Sequence, residues 1–121
     1  MEKITNFKDL IVWQEAHKLV LIIYEITKKF PKEESFGLTN QIRRAIVSVS
    51  SNIAEGFSRR SNKEKVQFYT TSKSSLTEVE NQILIAKDVS YISKEEFDAI
   101  NMQIDKVHRL LRSFIRGVDN L

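Results

Sequence analysis

One proline and three glycines are all that this 121-residue chain has to break a helix with, and they separate segments rather than interrupt them. The residue before a proline avoids helical geometry, so Phe30-Pro31 closes a first segment. That segment opens at Asn6-Phe7-Lys8-Asp9, where Asn6 can accept from first-turn amides and Asp9 suits the positive end of the macrodipole. Leu10, Trp13, Ala16, Val20, Ile23, Tyr24, Ile26 and Phe30 give it a wide apolar face. Ser35 and Gly37 lead to a second helix, with Leu38, Ile42, Ile46, Val49, Ile53 and Phe57 in line, which Gly56 loosens or closes. Ser61-Asn62-Lys63-Glu64 and Ser93-Lys94-Glu95-Glu96 both have capping-box spacing. The first box predicts a long third helix to about Val89, around Val66, Tyr69, Leu76, Val79 and Ile83. The second predicts a last helix around Phe97, Ile100, Ile104, Val107, Leu111, Phe114 and Val118.

No segment alternates with a strand period. Four helices on short connections predict an all-α fold, an antiparallel up-down-up-down four-helix bundle forming a single domain over residues 1–121. The first and third helices would be roughly 33–42 Å long. A hydrophobic content of 41% against 29% charged suits a folded chain rather than a disordered one. Cysteine is absent, which rules out a disulfide framework and a thiolate nucleophile or metal site. The opening Met1 to Asn6 has no apolar signal core, and the longest apolar run, Leu19 to Tyr24, is too short to span a bilayer. A cytoplasmic protein without a membrane partner is expected.

Catalytic motifs are lacking. His17 and His108 lie on different helices, and neither follows a glutamate by three as bundle di-metal sites require. There is no glycine-rich phosphate loop and no nucleophile elbow. The expectation is a protein that is not an enzyme and uses no metal or cofactor.

The segment from Phe30 to Gly56 carries something less ordinary. Gln41, Arg44, Ser48, Asn52, Glu55 and Arg59 recur at steps of three and four, forming a polar stripe beside the apolar one. If helices two and three form a hairpin about Ser58 to Ser61, Arg44 falls opposite Ser75 to Glu78, and Gln41 opposite Glu78 to Gln82. This predicts an Arg44–Glu78 pair, with Gln41, Ser48, Asn52, Ser75 and Gln82 satisfying the remaining donors and acceptors. Breaking such a pair, were it buried, would cost about 3–5 kcal/mol. A solvated face and a direct ligand site are the other readings of the stripe. Small residues, Ser50, Ser51 and Ala54 against Ser72, Ser74 and Ser75, would allow close approach in a hairpin or a subunit interface.

Basic residues gather at one end. An up-down-up-down order brings the chain start, the second connection and the chain end to one pole, with Lys3, Lys8, Arg59, Arg60, Lys63, Lys65, Arg109, Arg112 and Arg116. Lys106, Arg109, Arg112 and Arg116 also share a face of helix four. Clustered positive charge attracts phosphate backbones without reading bases, and a net charge of +3 permits that partner. Glu55, Glu64, Asp9 and Asp119 dilute the field, so a solvated pole is the competing reading.

Phe7-x-x-Leu10 with Trp13-Gln14, Phe30-Pro31-x-x-Glu34, Gly37-Leu38-x-x-Gln41-x-x-Arg44-Ala45 and Ser48-x-x-x-Asn52-Ile53-Ala54-Glu55-Gly56 resemble the four-helix bundle family of 23S rRNA-intervening-sequence proteins. Ser75-Leu76-x-Glu78-x-Glu80-x-Gln82 is similar to its third-helix signature. Thr70 to Ser74 departs from the family's usual glycine and alanine. The resemblance implies a bacterial protein assembled as a homopentamer. Some family members are encoded inside sequences that interrupt ribosomal RNA genes. A related branch serves diversity-generating retroelements, where a basic pentamer binds nucleic acid and a reverse transcriptase. The expected function is therefore an oligomeric RNA- or DNA-binding protein, structured RNA favoured. The alternative is a protein-protein adaptor. Arg59, Arg60, Lys63, Lys65, Arg109, Arg112 and Arg116 are the candidate nucleic-acid contacts.

Overall fold

Asn6 does cap a helix, but a short one. Its Oδ1 accepts from the Lys8 amide at 2.9 Å and closes a 3-10 turn over Phe7–Asp9. Leu10 is then extended, at φ −74° and ψ 126°, before α1 begins at Ile11 and runs to Thr27. The single helix expected from Asn6 to Phe30 is therefore shorter, roughly 26 Å. The structure, a computed structural model, describes residues 3–119; Met1, Glu2, Asn120 and Leu121, at the two ends of the 1–121 span, lie outside the described residues. A second 3-10 turn at Lys32–Glu34 precedes α2 (Leu38–Phe57), α3 (Asn62–Asp88) and α4 (Lys94–Asp119). No strand occurs among the described residues.

Both serine caps form. Ser61 Oγ accepts from the Glu64 amide at 3.1 Å to start α3. At α4 the box is reciprocal: Ser93 Oγ accepts from the Glu96 amide (3.0 Å), and Glu96 Oε1 accepts from the Ser93 amide (2.8 Å). Between them α3 ends through Ser90, which takes a left-handed φ of 68°. The Tyr91 amide then reaches back to Ala86 O (2.8 Å) and the Ser90 amide to Lys87 O (3.0 Å), the two bonds of a Schellman ending.

Consecutive helices pack together and α4 closes against α1, while the diagonal pairs stay apart; this is a four-helix bundle. All four helices supply the core, among them Leu19 and Ile23, Ile42, Ile46 and Ile53, Leu76 and Ile83, and Ile104 and Leu111. Tyr24, expected on the apolar face of α1, is exposed instead. Leu19 and Ile23 fill the interior there, and the Tyr24 ring lies beneath Arg43.

The tightest seam is α2 against α3. A Cβ at Gly56 would sit 2.6 Å from Tyr69 Cε1 and 2.9 Å from Phe68 Cβ, so only glycine allows the helices this close. The other end of α2 rests on Glu34. Its Oε1 accepts from the Leu38 amide at 3.1 Å, satisfying one of the helix's free donors. Its Oε2 accepts from the Tyr91 hydroxyl at 2.7 Å. Those two bonds hold the Glu34 carboxyl below its usual range. A Cβ at Gly37 would lie 2.8 Å from Glu34 Oε1, which accounts for glycine beside this glutamate.

Candidate nucleic-acid interface

The polar stripe of α2 meets α3 where the hairpin geometry puts it, but its parts separate into two. The small members make the seam. Ser48 Oγ and Ser75 Oγ share a hydrogen bond of 2.9 Å, Asn52 Nδ2 donates to Ser48 O and Oγ (2.8 and 3.0 Å), and Ser72 Oγ donates to Val49 O at 2.7 Å. Ser51 and Ser74 are exposed. The large members stay outside. Gln41, Arg44, Ala45, Ser48, Ser75 and Glu78 line one shallow groove, yet Arg44 is not among the ion pairs of the described residues. The expected Arg44–Glu78 pair is thus not made. Both residues are exposed, so water solvates the charges, and Glu78 accepts from Gln82 Nε2 at 3.2 Å. Gln82 is itself buried, with Oε1 unpartnered among the described residues. Glu55 is exposed.

Arg43, which the stripe passes over, is the arginine that ties helices together. Its Nε donates to Thr27 Oγ1 (2.8 Å), Nη2 reaches Tyr24 O (3.4 Å), and the guanidinium lies 4.9 Å over the Tyr24 ring. Thr27 is buried and uses its own hydroxyl hydrogen on Ile23 O at 2.7 Å, leaving its oxygen free to accept. The only hint in the sequence was a threonine at the end of an apolar run.

The basic end assembles as the topology requires. Tyr69 near the start of α3 packs on Phe114 near the end of α4 (centroids 4.7 Å apart), and Ile4, Leu10 and Ile11 face Leu110, Ser113 and Phe114. Its cations differ in role. Lys65 Nζ donates to Phe57 O (2.8 Å) and Gly56 O (3.4 Å), neutralising the carbonyl end of α2, and so is largely committed to structure. Arg59 lies 4.6 Å over the Phe68 ring, and Arg116 Nη2 reaches Ser113 Oγ at 3.5 Å. Arg60 and Lys63 are exposed and make no ion pair among the described residues. Arg109 and Arg112 point away from the end itself, into a groove between α3 and α4. Lys106 leaves the basic face of α4 and turns to α1, 3.2 Å from Glu15 Oε1.

Glu15 is a buried carboxylate that periodicity did not single out. Lys18 Nζ (2.9 Å), Gln103 Nε2 (3.1 Å) and Lys106 surround it. Those contacts outweigh the cost of burial and bring its pKa to about 2. The cluster stitches α1 to α4. Among the described residues no group of three His, Cys, Asp or Glu side chains is placed to hold a metal ion, and no helix is long and apolar enough to cross a membrane.

Fold and surface together define a small helical-bundle protein with a positively charged end and a polar, small-residue seam between its central helices. The chain belongs to the 23S rRNA-intervening sequence protein family, whose model matches residues 8–113. A crystallised protein of unknown function from Bacteroides thetaiotaomicron, described as of the S23 ribosomal protein family, superposes with a TM-score of 0.81. The two share 22% identity over 87% of this chain and 98% of the other, a likeness of fold. No curated protein matches the chain.

Proposed function

We propose that this protein is a non-enzymatic, oligomeric nucleic-acid-binding protein of the bacterial cytoplasm, and that it holds the phosphate backbone of structured RNA on its basic end. The observation that carries this is the pair Arg60 and Lys63, exposed at the turn between α2 and α3 with no carboxylate partner among the described residues. Arg59 and Arg116 extend the positive surface, and Arg109 and Arg112 continue it along α4 in the groove beside that end. Lys65 contributes charge rather than direct contact, since its ammonium already serves the end of α2. Assembly into a homopentamer, which the family resemblance implies, would repeat the patch on every subunit and add avidity. Exposed Ile11, Leu21, Ile22 and Tyr24 on α1, with Val47 on α2, support an oligomer, because apolar side chains gathered on a surface favour contact with another copy.

Fluorescence anisotropy with a labelled RNA stem-loop tests the reading. Affinity should fall steeply as salt rises, and Arg60→Glu with Lys63→Glu should weaken binding by about tenfold or more. Binding indifferent to salt, or none at low salt, removes the proposal. A protein-protein adaptor is the second reading, favoured by Phe36, which is 97% exposed between two helices. In that case charge reversal at the basic end leaves partner capture unchanged.

A further inference from the structure

Beside the basic end, rather than at it, an open groove of about 720 Å³ lies between α3 and α4. Lys73 on α3 and Arg109 and Arg112 on α4 line it. None of the three makes an ion pair among the described residues, although Glu80 and Asp105 line the same groove. Arg109 Nε donates to Asp105 O at 3.4 Å, and its two terminal nitrogens make no hydrogen bond among the described residues. The floor of the groove is His108, only 9% exposed, with neither ring nitrogen hydrogen-bonded among the described residues. Most buried polar groups are hydrogen-bonded, because one left without a partner loses its solvation uncompensated. Nε2 lies 3.5 Å from Glu80 Oε1, too far for a good hydrogen bond to the neutral ring and close enough for an ion pair once it is protonated.

We propose that this groove is a binding site for a phosphate group, held by Lys73, Arg109 and Arg112, with His108 and Glu80 beneath it as a proton-coupled pair. Two cations that fork and one that does not, on facing helices, can reach several oxygens of a tetrahedral oxyanion from two sides. The size suits a nucleotide unit rather than a bare ion. Desolvation depresses the His108 pKa, and Arg112 and Lys73 lower it further, against Glu80 and Asp105. A bound phosphate offsets the field of Lys73 and Arg112, so His108 takes up a proton and pairs with Glu80. Affinity therefore rises as pH falls below the ordinary histidine range. The phosphate can come from a nucleic-acid strand that continues from Arg60 and Lys63 into the groove, or from free phosphate. Only the first source rests on the function proposed above.

The test is an NMR titration of the full chain, following the Arg Nε and His ring signals, with three probes: inorganic phosphate, the dinucleotide UpU and a single-stranded oligouridylate. UpU has a phosphodiester whose charge stays constant over the histidine range, so its pH dependence reports the protein. Saturable shifts at Arg109, Arg112 and His108 are expected, weakened about tenfold in Lys73→Ala and in Arg112→Ala, with helicity retained by circular dichroism. The pH dependence of UpU binding should flatten in His108→Gln. Displacement of phosphate by the oligouridylate assigns the nucleic-acid source; oligouridylate binding that leaves phosphate in place assigns the free one. Arg60→Ala with Lys63→Ala lies outside the groove and separates the two ideas. If that variant loses the oligouridylate but still takes phosphate, the groove stands by itself as a small-anion site. Shifts scattered over every surface lysine, or affinities within about twofold of wild type in both groove variants, overturn the proposal.

Discussion

Glu15 shows how one side chain turns a helix contact into a pH dependence. Its pKa of about 2 lies below the ordinary 4.5, so its stabilisation is complete above that value and is lost as pH falls from 4.5 toward 2. Lys18, Gln103 and Lys106 cover the carboxylate from the rim rather than from the bundle interior, and solvent screening trims its contribution to about 1–2 kcal/mol. His108 works in the same direction in a separate window. Its lowered pKa means that the unfolded chain takes up a proton first, so stability declines as pH drops below the ordinary histidine value of 6.5. Urea unfolding across the acidic range should therefore show two steps, and Glu15→Gln should flatten the lower one. An unchanged acid limb in that variant would mean that the Lys18–Gln103–Lys106 cluster contributes nothing.

Helices α1 and α2 are joined by one arginine, and its neighbour is not used. Arg43 binds Thr27, a backbone carbonyl and the Tyr24 ring, whereas Arg44 has only solvent and a shared groove. Arg43→Ala should cost about 1–2 kcal/mol, the value of a charged hydrogen bond with a partly exposed cation–π contact. Arg44→Ala should stay within about 0.5 kcal/mol, as surface substitutions do. Thermal unfolding of the two variants side by side decides the matter; equal losses would restore the pair with Glu78. The lesson is about angle. Residues 43 and 44 differ by one step of about 100° on the helix, and the stripe pattern tracks only the second. Which of them meets a neighbour depends on how α2 is rotated against α1.

For the bundle as a body, the exposed apolar side chains of α1 are where the proposed assembly can be tested. Ile22→Glu should shift sedimentation toward the monomer while leaving helicity intact, since Ile22 is 37% exposed and outside the core. A single species unchanged in mass would show that another surface carries any assembly. The fold was largely legible beforehand. The Ser61 and Ser93 boxes, Pro31 and the scarcity of glycine mark where helices start and stop, and those marks act through local sterics and hydrogen bonds within a few residues. The core lines of α2, α3 and α4 followed from period alone, except that Val66 of α3 is only half-buried and outside the core. The candidate site was half legible: the position of Arg59, Arg60 and Lys63 around the α2–α3 turn follows from topology. The groove was not, because Lys73 and His108 are far apart in sequence and become neighbours only through the antiparallel pairing of α3 with α4. The same holds for Glu15 and Lys106 across α1 and α4, and for Arg43 over Arg44. Sequence alone determined α2, α3, α4 and the family, since these rest on short-range spacing. The packed structure decided which charges are shared, buried or left free, because electrostatic partners are chosen by helix rotation and distance, not by order along the chain.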